Sequence, residues 1–267
     1  MLLVVDVGNT NVVIGAVENS KLVMSWRLAT DKTRSADEYG VIIDSMFRHD
    51  GFDPKDVKDV IISTVVPSLL FTLQHMCYRY FNVKPLIVET GIKTGLKIKC
   101  DDPRQIGSDR IVNTVAAHNK YEGSLIVADF GTATTFSVVT DKGEFLVGAI
   151  APGIKTSSFA LFEHTAKLPN VDLETPGRMI CKNTIENMQA GLIYGHMGLA
   201  ERLINGMKEE LVNEYKKKEN EIKVIATGGM SSMVEKGVDC IDIVDKRLAL
   251  DGLVCIYEKN KYNRRKN

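Results

Sequence analysis

Two aspartates in this sequence each end an apolar run and precede a glycine-containing polar turn. The first lies in Asp6-Val7-Gly8-Asn9-Thr10-Asn11 and the second in Asp129-Phe130-Gly131-Thr132-Ala133-Thr134-Thr135. Glycine lets the backbone come close to a ligand, and turn amides and threonine hydroxyls are donors suited to phosphate oxygens. Because carboxylates repel phosphate, we predict a site in which a cation lies between the acids and the phosphates.

The same acids have a simpler interpretation, in which Asp6 and Asp129 only cap their own turns. A single copy of the motif favours that interpretation, since a buried carboxylate needs some partner. Two copies at equivalent positions of a repeat favour the phosphate and cation site instead.

The stretch Gly107-Ser108-Asp109-Arg110 lies at the start of a predicted helix, where anions bind well. Arg110 could hold a carboxylate through paired hydrogen bonds. Asp109 could accept the proton of an attacking hydroxyl, as a carboxylate base does in phosphoryl transfer. Alternatively, Ser108 or Asp109 is an ordinary helix cap and Arg110 a surface residue. Spacing alone leaves both interpretations open.

A third glycine turn, Thr227-Gly228-Gly229, follows a predicted strand. It could approach the base or ribose of a nucleotide, although an ordinary strand-to-helix turn has the same sequence pattern. The segment from Gly148 to Thr156 is not a phosphate-binding P-loop, because Ile154 separates its second glycine from the lysine and Pro152 lacks an amide donor. No Gly-x-Gly-x-x-Gly follows a strand, which argues against a dinucleotide-binding fold.

One order of elements occurs twice around these motifs. Three strands, a helix capped by Ser35 or Asp37, a strand, a helix starting at Pro67 and a strand are predicted before residue 90. The pattern restarts with strands at 124–129, 135–140 and 144–150. A helix is then predicted from Thr184 to Glu201, or as far as Glu219. A strand at 222–226 and a helix from about Lys246 follow. Residues 91–106 and 165–183 are predicted loops. The repeat predicts two α/β halves, residues 1–117 and 118–267, with a ligand cleft between them.

The composition is that of a soluble globular protein, with 44% hydrophobic and 25% charged residues. The formal net charge of zero gives no reason to expect nucleic acid or a membrane as partner, although the basic tail from Lys259, predicted to be frayed, leaves a nucleic-acid arm as a minor alternative. No apolar run approaches the ~20 residues of a membrane span, and no signal peptide is expected. The five cysteines form no Cys-x-x-Cys pair, so we expect free thiols in a reducing cytoplasm and no zinc site.

The three glycine turns and Gly107–Arg110 occur in the order and spacing of type III pantothenate kinases, which this sequence resembles. Gly148–Gly153 and Asn183-Thr184 also look like that family's pattern, and the resemblance extends from Leu2 to about Asp251. It implies an acetate-and-sugar-kinase, Hsp70 and actin-like fold with duplicated βββαβα, ribonuclease H-like halves. It also implies ATP-dependent phosphorylation of pantothenate, the first step of coenzyme A synthesis, by a cytoplasmic homodimer.

The resemblance further implies roles for single residues. Asp109 is the proton acceptor, Asp129 binds the monovalent cation K⁺ or NH₄⁺, and Mg²⁺ lies near the first turn. Pantothenate is bound by Gly107, Ser108, Asp109, Arg110 and Thr184. ATP is bound by Asp6, Val7, Gly8, Asn9, Thr10, Asn11, Val12, Val13 and Thr132.

Two positions depart from the family's pattern, which has a tyrosine and an asparagine before the Pro103 turn. Cys100 and Asp102 stand in those places, so we expect a smaller and more acidic pocket wall. Two other functions remain open from sequence: a kinase for a sugar or another small alcohol, and a nucleotide-binding regulatory protein without catalysis.

Overall fold

The computed structural model describes residues 1–264, which form two compact units. The first unit comprises Met1–Leu96, Asp101–Asn119 and the chain from Arg247 onward. The second comprises Lys97–Cys100 and Lys120–Lys246. The sequence predicted a boundary between the duplicated halves at residues 117 and 118. That boundary stays a prediction.

The first unit is built on a five-stranded sheet in the order β3-β2-β1-β4-β5. Strand β1 lies at its centre, antiparallel to β2 and parallel to β4. The elements of this unit are β1 (Leu2–Val7), β2 (Asn11–Glu18), β3 (Lys21–Ala29), α1 (Ala36–His49), β4 (Asp59–Thr64), α2 (Pro67–Met76), β5 (Leu86–Ile87), α3 (Ser108–Lys120) and α7 (Leu248–Arg264).

The second unit contains a larger sheet in the order β12-β11-β7-β8-β9-β6, with β10 paired to β8. Its core order β9-β8-β7-β11-β12 corresponds to β3-β2-β1-β4-β5 of the first unit, which confirms the predicted duplication. The elements are β6 (Lys97–Ile98), β7 (Ser124–Phe130), β8 (Ala133–Val139), β9 (Glu144–Val147), β10 (Ile150–Pro152), α4 (Ile154–His164), α5 (Thr184–Asn213), β11 (Ile222–Thr227), α6 (Ser231–Val234) and β12 (Ile243–Val244).

Helices cover both faces of the first sheet, so β1 is apolar along nearly its whole length. Leu3 and Val5 face a core formed with α1 and α2, whereas Leu2 and Val4 face one formed with α3 and α7. Successive side chains of a strand point to opposite faces, which explains this division. Asp6 is the one acid in this run, and packing does not explain a carboxylate at that position.

Local sequence signals explain where the first helices begin. Ser35 caps α1 in a reciprocal arrangement, since its Oγ accepts from Glu38 N at 3.3 Å and Glu38 Oε2 accepts from Ser35 N at 2.8 Å. Pro67 occupies the first position of α2, where its missing N–H is not needed. Both predicted helix starts are confirmed.

The structure corrects several predicted elements. The single strand predicted at 144–150 is wrong: β9 ends at Val147 and β10 starts at Ile150, because Gly148 at φ +141 interrupts the strand and a side chain there would overlap the carbonyl oxygen of Phe136. The predicted loop 91–106 contains β6, which pairs with β9, and a 3-10 turn at Pro103–Gln105.

The predicted helix ends are also defined more closely. Helix α5 ends at Asn213, between the two predicted limits, and the last helix starts at Leu248. Helix α7 continues to Arg264, so the prediction of a frayed tail is wrong for residues 259–264. Residues 265–267 lie outside the described part of the chain. No helix within residues 1–264 has the length and apolar character needed to cross a membrane.

Candidate active site

The turn between β1 and β2 exposes polar side chains on a firmly held backbone. Asn9 and Thr10 are exposed, and Gly8 N donates to Asn11 O at 2.9 Å across the turn. The end of β3 supports the turn, since Thr30 Oγ1 donates to Gly8 O at 2.7 Å and Thr30 N to Thr10 O at 3.0 Å. This leaves the outer surface of the turn open to an anion.

Of the residues predicted to bind ATP here, the valines differ from their neighbours. Val7 and Val12 are buried in the core, so only their backbone groups can reach a ligand, whereas Val13 is half-buried. Asp6 is also half-buried with one carboxylate oxygen fully enclosed. Its backbone lies between Val13 of β2 and Ser63 of β4.

The predicted acceptor segment lies at the N-terminus of α3 and is fixed to the end of β4. Ser108 Oγ donates to Thr64 O at 3.0 Å and accepts from Ser63 Oγ at 3.0 Å. Because β1 and β4 are parallel neighbours, their carboxyl ends share one edge of the sheet. Ser63 pairs with Asp6 in that register, so the structure brings the first turn and Gly107–Arg110 together.

The Asp109 carboxylate turns back toward the start of its own helix. Its Oδ1 accepts from Arg110 N at 2.8 Å. A side chain at Gly107 would overlap that same oxygen, so glycine is needed for this conformation. The turn therefore holds the carboxylate in one orientation before any substrate arrives.

Burial changes the acidity of both charged groups in this segment. It raises the pKa of the Asp109 carboxyl above its usual value, against the opposing effects of the Arg110 amide and positive charge. Burial also lowers the pKa of the Arg110 guanidinium, which the charge of Asp109 partly offsets. Arg110 is only 7% exposed and remains a cation at neutral pH. A raised carboxyl pKa makes Asp109 a better proton acceptor than a surface aspartate.

In the second unit, Asp129 meets the third glycine turn. Asp129 pairs with Thr227 of β11 in parallel register. Gly228 follows with φ +90, and a side chain there would overlap Asp129 Oδ1 and lie 2.7 Å from backbone atoms of Phe130. Met230 N then donates to Phe130 O at 3.1 Å. Thr227–Gly229 thus packs directly on the strand end that carries Asp129.

The β7–β8 turn is also held from the side of β10 and α4. Thr132 is exposed, and its carbonyl oxygen accepts from Gly153 N at 3.1 Å and from Thr156 Oγ1 at 2.6 Å. A side chain at Gly153 would overlap Gly131 O, so the two glycine segments fit closely together. The Gly148–Gly153 motif therefore supports the turn.

The remaining predicted positions, Thr184 and Asp102, lie at the start of a helix and of a 3-10 turn. Thr184 is exposed at the first position of α5, where Asn183 caps the helix by accepting from Glu186 N at 2.9 Å. Asp102 caps the Pro103 turn and binds Arg104 Nε at 2.9 Å, and these hydrogen bonds lower the pKa of its carboxyl. The charge of Asp102 is thus already paired with an arginine.

Sequence reasoning missed several residues that support the site. Ser63 follows the apolar run Val60–Ile62, and its position at the carboxyl end of that strand was the available signal. Thr156 was considered only in excluding a P-loop. His196 has no spacing in the sequence that marks it for a site, yet its Nε2 lies 2.9 Å from Thr134 Oγ1 under the second turn.

Among the described residues, no group of three or more His, Cys, Asp or Glu side chains is arranged to hold a metal ion. That finding is compatible with Mg²⁺ arriving with ATP, because phosphates and water then supply most ligands and one or two carboxylates suffice. The enclosed carboxylate of Asp6 beside an exposed glycine turn fits this requirement.

Comparison with solved structures identifies the fold. The chain is 19% identical to a protein from Campylobacter jejuni described as a proposed transcriptional activator of the Baf family, over 97% of this chain and 99% of that one, with a TM-score of 0.59. It is 13% identical to a proposed 2-dehydro-3-deoxygalactonokinase from Sinorhizobium meliloti, over 97% and 98%, with a TM-score of 0.55. A third similar structure is the activator of 2-hydroxyisocaproyl-CoA dehydratase from Clostridium difficile with bound ADPNP, at 11% identity over 99% and 96%, with a TM-score of 0.50. Together with the duplicated sheets, these similarities confirm the actin-like α/β fold.

The sequence profile of the family described as type III pantothenate kinase matches residues 2–206, well over half of the chain. The matched region includes Asp6, Gly107–Arg110, Asp129 and Thr184, whereas Thr227–Gly229 lies beyond it. This match confirms the resemblance drawn from the motifs. The family phosphorylates pantothenate with ATP in coenzyme A biosynthesis, and its members are phosphotransferases. The chain belongs to the type III pantothenate kinase family.

Proposed function

We propose that this chain transfers the terminal phosphoryl group of ATP to the hydroxyl of pantothenate, with Asp109 as the general base. The hydroxyl oxygen forms a bond to phosphorus, the bond between phosphorus and the bridging oxygen of ADP breaks, and the hydroxyl proton passes to Asp109. One observation carries the role of Asp109: its carboxyl has a raised pKa and lies beside buried Arg110 at the same sheet edge as the first glycine turn.

The surrounding residues suit the two substrates. Arg110 can pair with the pantothenate carboxylate through two parallel hydrogen bonds, with Gly107, Ser108 and Thr184 as further contacts. The turn from Asp6 to Val13 and the exposed Thr132 offer amides and hydroxyls to ATP. Magnesium bound with ATP supplies neutralisation of the phosphate charge, and Asp6 is the residue we assign to it.

We assign Asp129 to a monovalent cation, K⁺ or NH₄⁺. Two acids in equivalent turns need not hold the same ion, because their surroundings differ. Asp129 is packed against Gly228, whereas Asp6 lies beside the acceptor segment. The cation would reduce repulsion between the Asp129 carboxylate and the phosphates of ATP.

We further propose a homodimer that works in the cytoplasm, where ATP is available and free thiols persist. Exposed apolar side chains support self-association, and sedimentation equilibrium of the purified chain tests it. They lie on α4 and in the loop before α5 and comprise Phe159, Leu161, Phe162, Met179 and Ile180.

The substitution Asp109→Asn tests the general base. We expect kcat to fall by about 10³-fold, since a positioned base contributes roughly 10²–10⁴. The dissociation constant for ATP, measured by calorimetry, should stay within about twofold of wild type, because Asp109 is assigned to the acceptor hydroxyl and not to ATP. Asp101→Asn is the matched control, since Asp101 is an exposed acid of the preceding loop, and it should leave kcat unchanged.

Full activity of Asp109→Asn would remove Asp109 from the mechanism. Rapid ATP consumption with another alcohol, and none with pantothenate, would instead favour the sugar or small-alcohol kinase. If the wild-type chain binds ATP but phosphorylates no alcohol in a panel, the regulatory alternative gains support. A regulatory function would agree with the description of the similar Campylobacter jejuni protein as a proposed transcriptional activator.

A further inference from the structure

We propose that His196 is a positioning residue for the nucleotide site, and that its contact with Thr134 fixes the β7–β8 turn that carries Asp129 and Thr132. This inference rests on the proposed role of that turn in ATP binding. It assigns a function to a side chain on the buried face of α5, outside the residues that contact substrate.

The imidazole of His196 contacts both strands directly below the turn. Its Nε2 lies 2.9 Å from Thr134 Oγ1 on β8. Its ring meets the ring of Phe130 on β7 edge to face, with centroids 6.0 Å apart. Phe130 and Thr134 are cross-strand partners, the last pair before the turn. One side chain therefore restrains both strands where they enter the turn.

The pair is enclosed, so the hydrogen bond is not in competition with water. Thr134 has no exposed surface and His196 is 6% exposed. Burial lowers the pKa of the His196 imidazole, which keeps the ring neutral at physiological pH. A buried hydroxyl that loses its partner is costly, so the pair defines one orientation of the Thr134 side chain.

The same turn is held on its outer side by other groups. Thr132 O accepts from Gly153 N and Thr156 Oγ1, whereas His196 acts from beneath, where its buried neighbours on α5, Ile193 and Met197, are apolar. An apolar residue at position 196 would fill space equally well. A polar residue bonded to the base of the turn adds directional restraint that packing alone does not supply.

Calorimetry and steady-state kinetics on His196→Leu and Thr134→Val test the inference. We expect each variant to weaken ATP binding and raise KM for ATP by about 10-fold, because the turn loses one hydrogen bond that holds it in the binding conformation. The KM for pantothenate should stay within about twofold. His196→Gln, which keeps an amide nitrogen within reach, should restore ATP affinity to within about twofold of wild type.

The double variant and a neighbouring control separate positioning from packing. If the two side chains act as one unit, His196→Leu combined with Thr134→Val should be no worse than either single change. Met197→Leu, at the next buried position of α5, should lower Tm without changing ATP affinity.

A lowered Tm with unchanged ATP affinity in both single variants would overturn the inference, and so would a failure of His196→Gln to restore affinity. Should the single variants fail to fold, Thr134→Ser and His196→Asn provide milder tests. Thr134→Ser keeps the hydroxyl and should bind ATP normally, whereas the shorter amide of His196→Asn should not restore binding, and the opposite pattern would overturn the inference. Because ATP binding is measured without acceptor, loss of the pantothenate activity assignment would leave this test valid.

Discussion

The two equivalent strands β4 and β11 end in different chemistry. Each runs parallel to the strand that carries a site acid: Ser63 pairs with Asp6, and Thr227 pairs with Asp129. At the end of β4 the Ser63 hydroxyl donates to Ser108 of the acceptor segment. The duplicated fold therefore offers the same position twice, and the first unit uses it to hold the N-terminus of α3.

At the end of β11 the backbone itself approaches the acid. Gly228, with φ +90, lies where any side chain would overlap Asp129 Oδ1. Both segments are still tied back in a similar way, since Val65 N donates to Val7 O at 3.0 Å and Met230 N to Phe130 O at 3.1 Å. The two units therefore share one backbone plan but differ at the ends of these strands: the first holds Ser108 through a hydroxyl, and the second brings Gly228 against the Asp129 carboxylate.

The largest expected effect comes from filling the space at Gly228. Gly228→Ala should lower the free energy of unfolding by roughly 2–4 kcal/mol, because the new methyl group meets backbone atoms of Phe130 and the residue has a left-handed φ. Urea denaturation measures this change. Gly229→Ala is the matched control, since a side chain there meets nothing within 4 Å, and it should cost less than about 0.5 kcal/mol.

The first turn supplies the comparison for that result. At Gly8 an added methyl group would lie 3.3 Å from Asn11 O, a tight contact that a small backbone shift can relieve. Gly8→Ala should therefore cost about 1 kcal/mol, less than Gly228→Ala. Equal losses at the two positions would show that the close approach to Asp129 is not what distinguishes the second unit.

A smaller but more specific effect is expected at the two acids. Asp129→Asn should abolish the difference in rate between K⁺ and Na⁺, because it removes the carboxylate that we assign to the monovalent cation. Asp6→Asn should lower the rate in both salts and weaken Mg²⁺-ATP binding, while the ratio of rates in K⁺ and Na⁺ stays as in wild type. Initial rates at constant ionic strength measure this, with the total salt held fixed to avoid screening effects.

If the wild-type chain works equally fast in K⁺ and Na⁺, the assignment of Asp129 to a cation is wrong. A loss of the K⁺ effect in Asp6→Asn instead would exchange the roles of the two acids. Loss of the K⁺ effect in both variants would contradict the assignment of the cation to Asp129 alone.

Much of the fold could be predicted from local patterns. The β-branched run before Asp6 and its counterpart before Asp129 predicted both central strands, and Ser35 and Pro67 marked two helix starts. Such signals work because strand burial, capping and proline geometry depend on residues close in sequence. The repeat then predicted two halves with the same order of elements, and the two sheets share one core strand order.

Contacts between distant residues were not predictable in the same way. Ser63 and Ser108 are 45 residues apart, and Thr134 and His196 are 62 apart, so no local pattern links either pair. The strand β6 was missed because two residues, Lys97-Ile98, carry no periodicity and gain their structure only from pairing with β9. The roles proposed for the acids stay predictions, whereas these supporting hydrogen bonds could be found only in the tertiary structure.

The smallest expected effect is a shift of the acidic limb of the pH profile. Only substitutions in Gly107–Arg110 should cause it. Asp109 must be ionised to accept a proton, so kcat/KM for pantothenate should fall as the pH drops through the pKa of its carboxyl. Burial raises that pKa, so the midpoint should lie above 3.8, the ordinary value for aspartate. The positive charge of Arg110 opposes the rise, and Arg110→Gln should therefore move the midpoint to still higher pH, whereas Arg110→Lys, which keeps the charge, should move it less. Asp129→Asn changes a carboxyl of the second unit and should leave the midpoint in place; if it moves the midpoint as far as Arg110→Gln does, the proton acceptor and the cation site are not divided between the units as we propose.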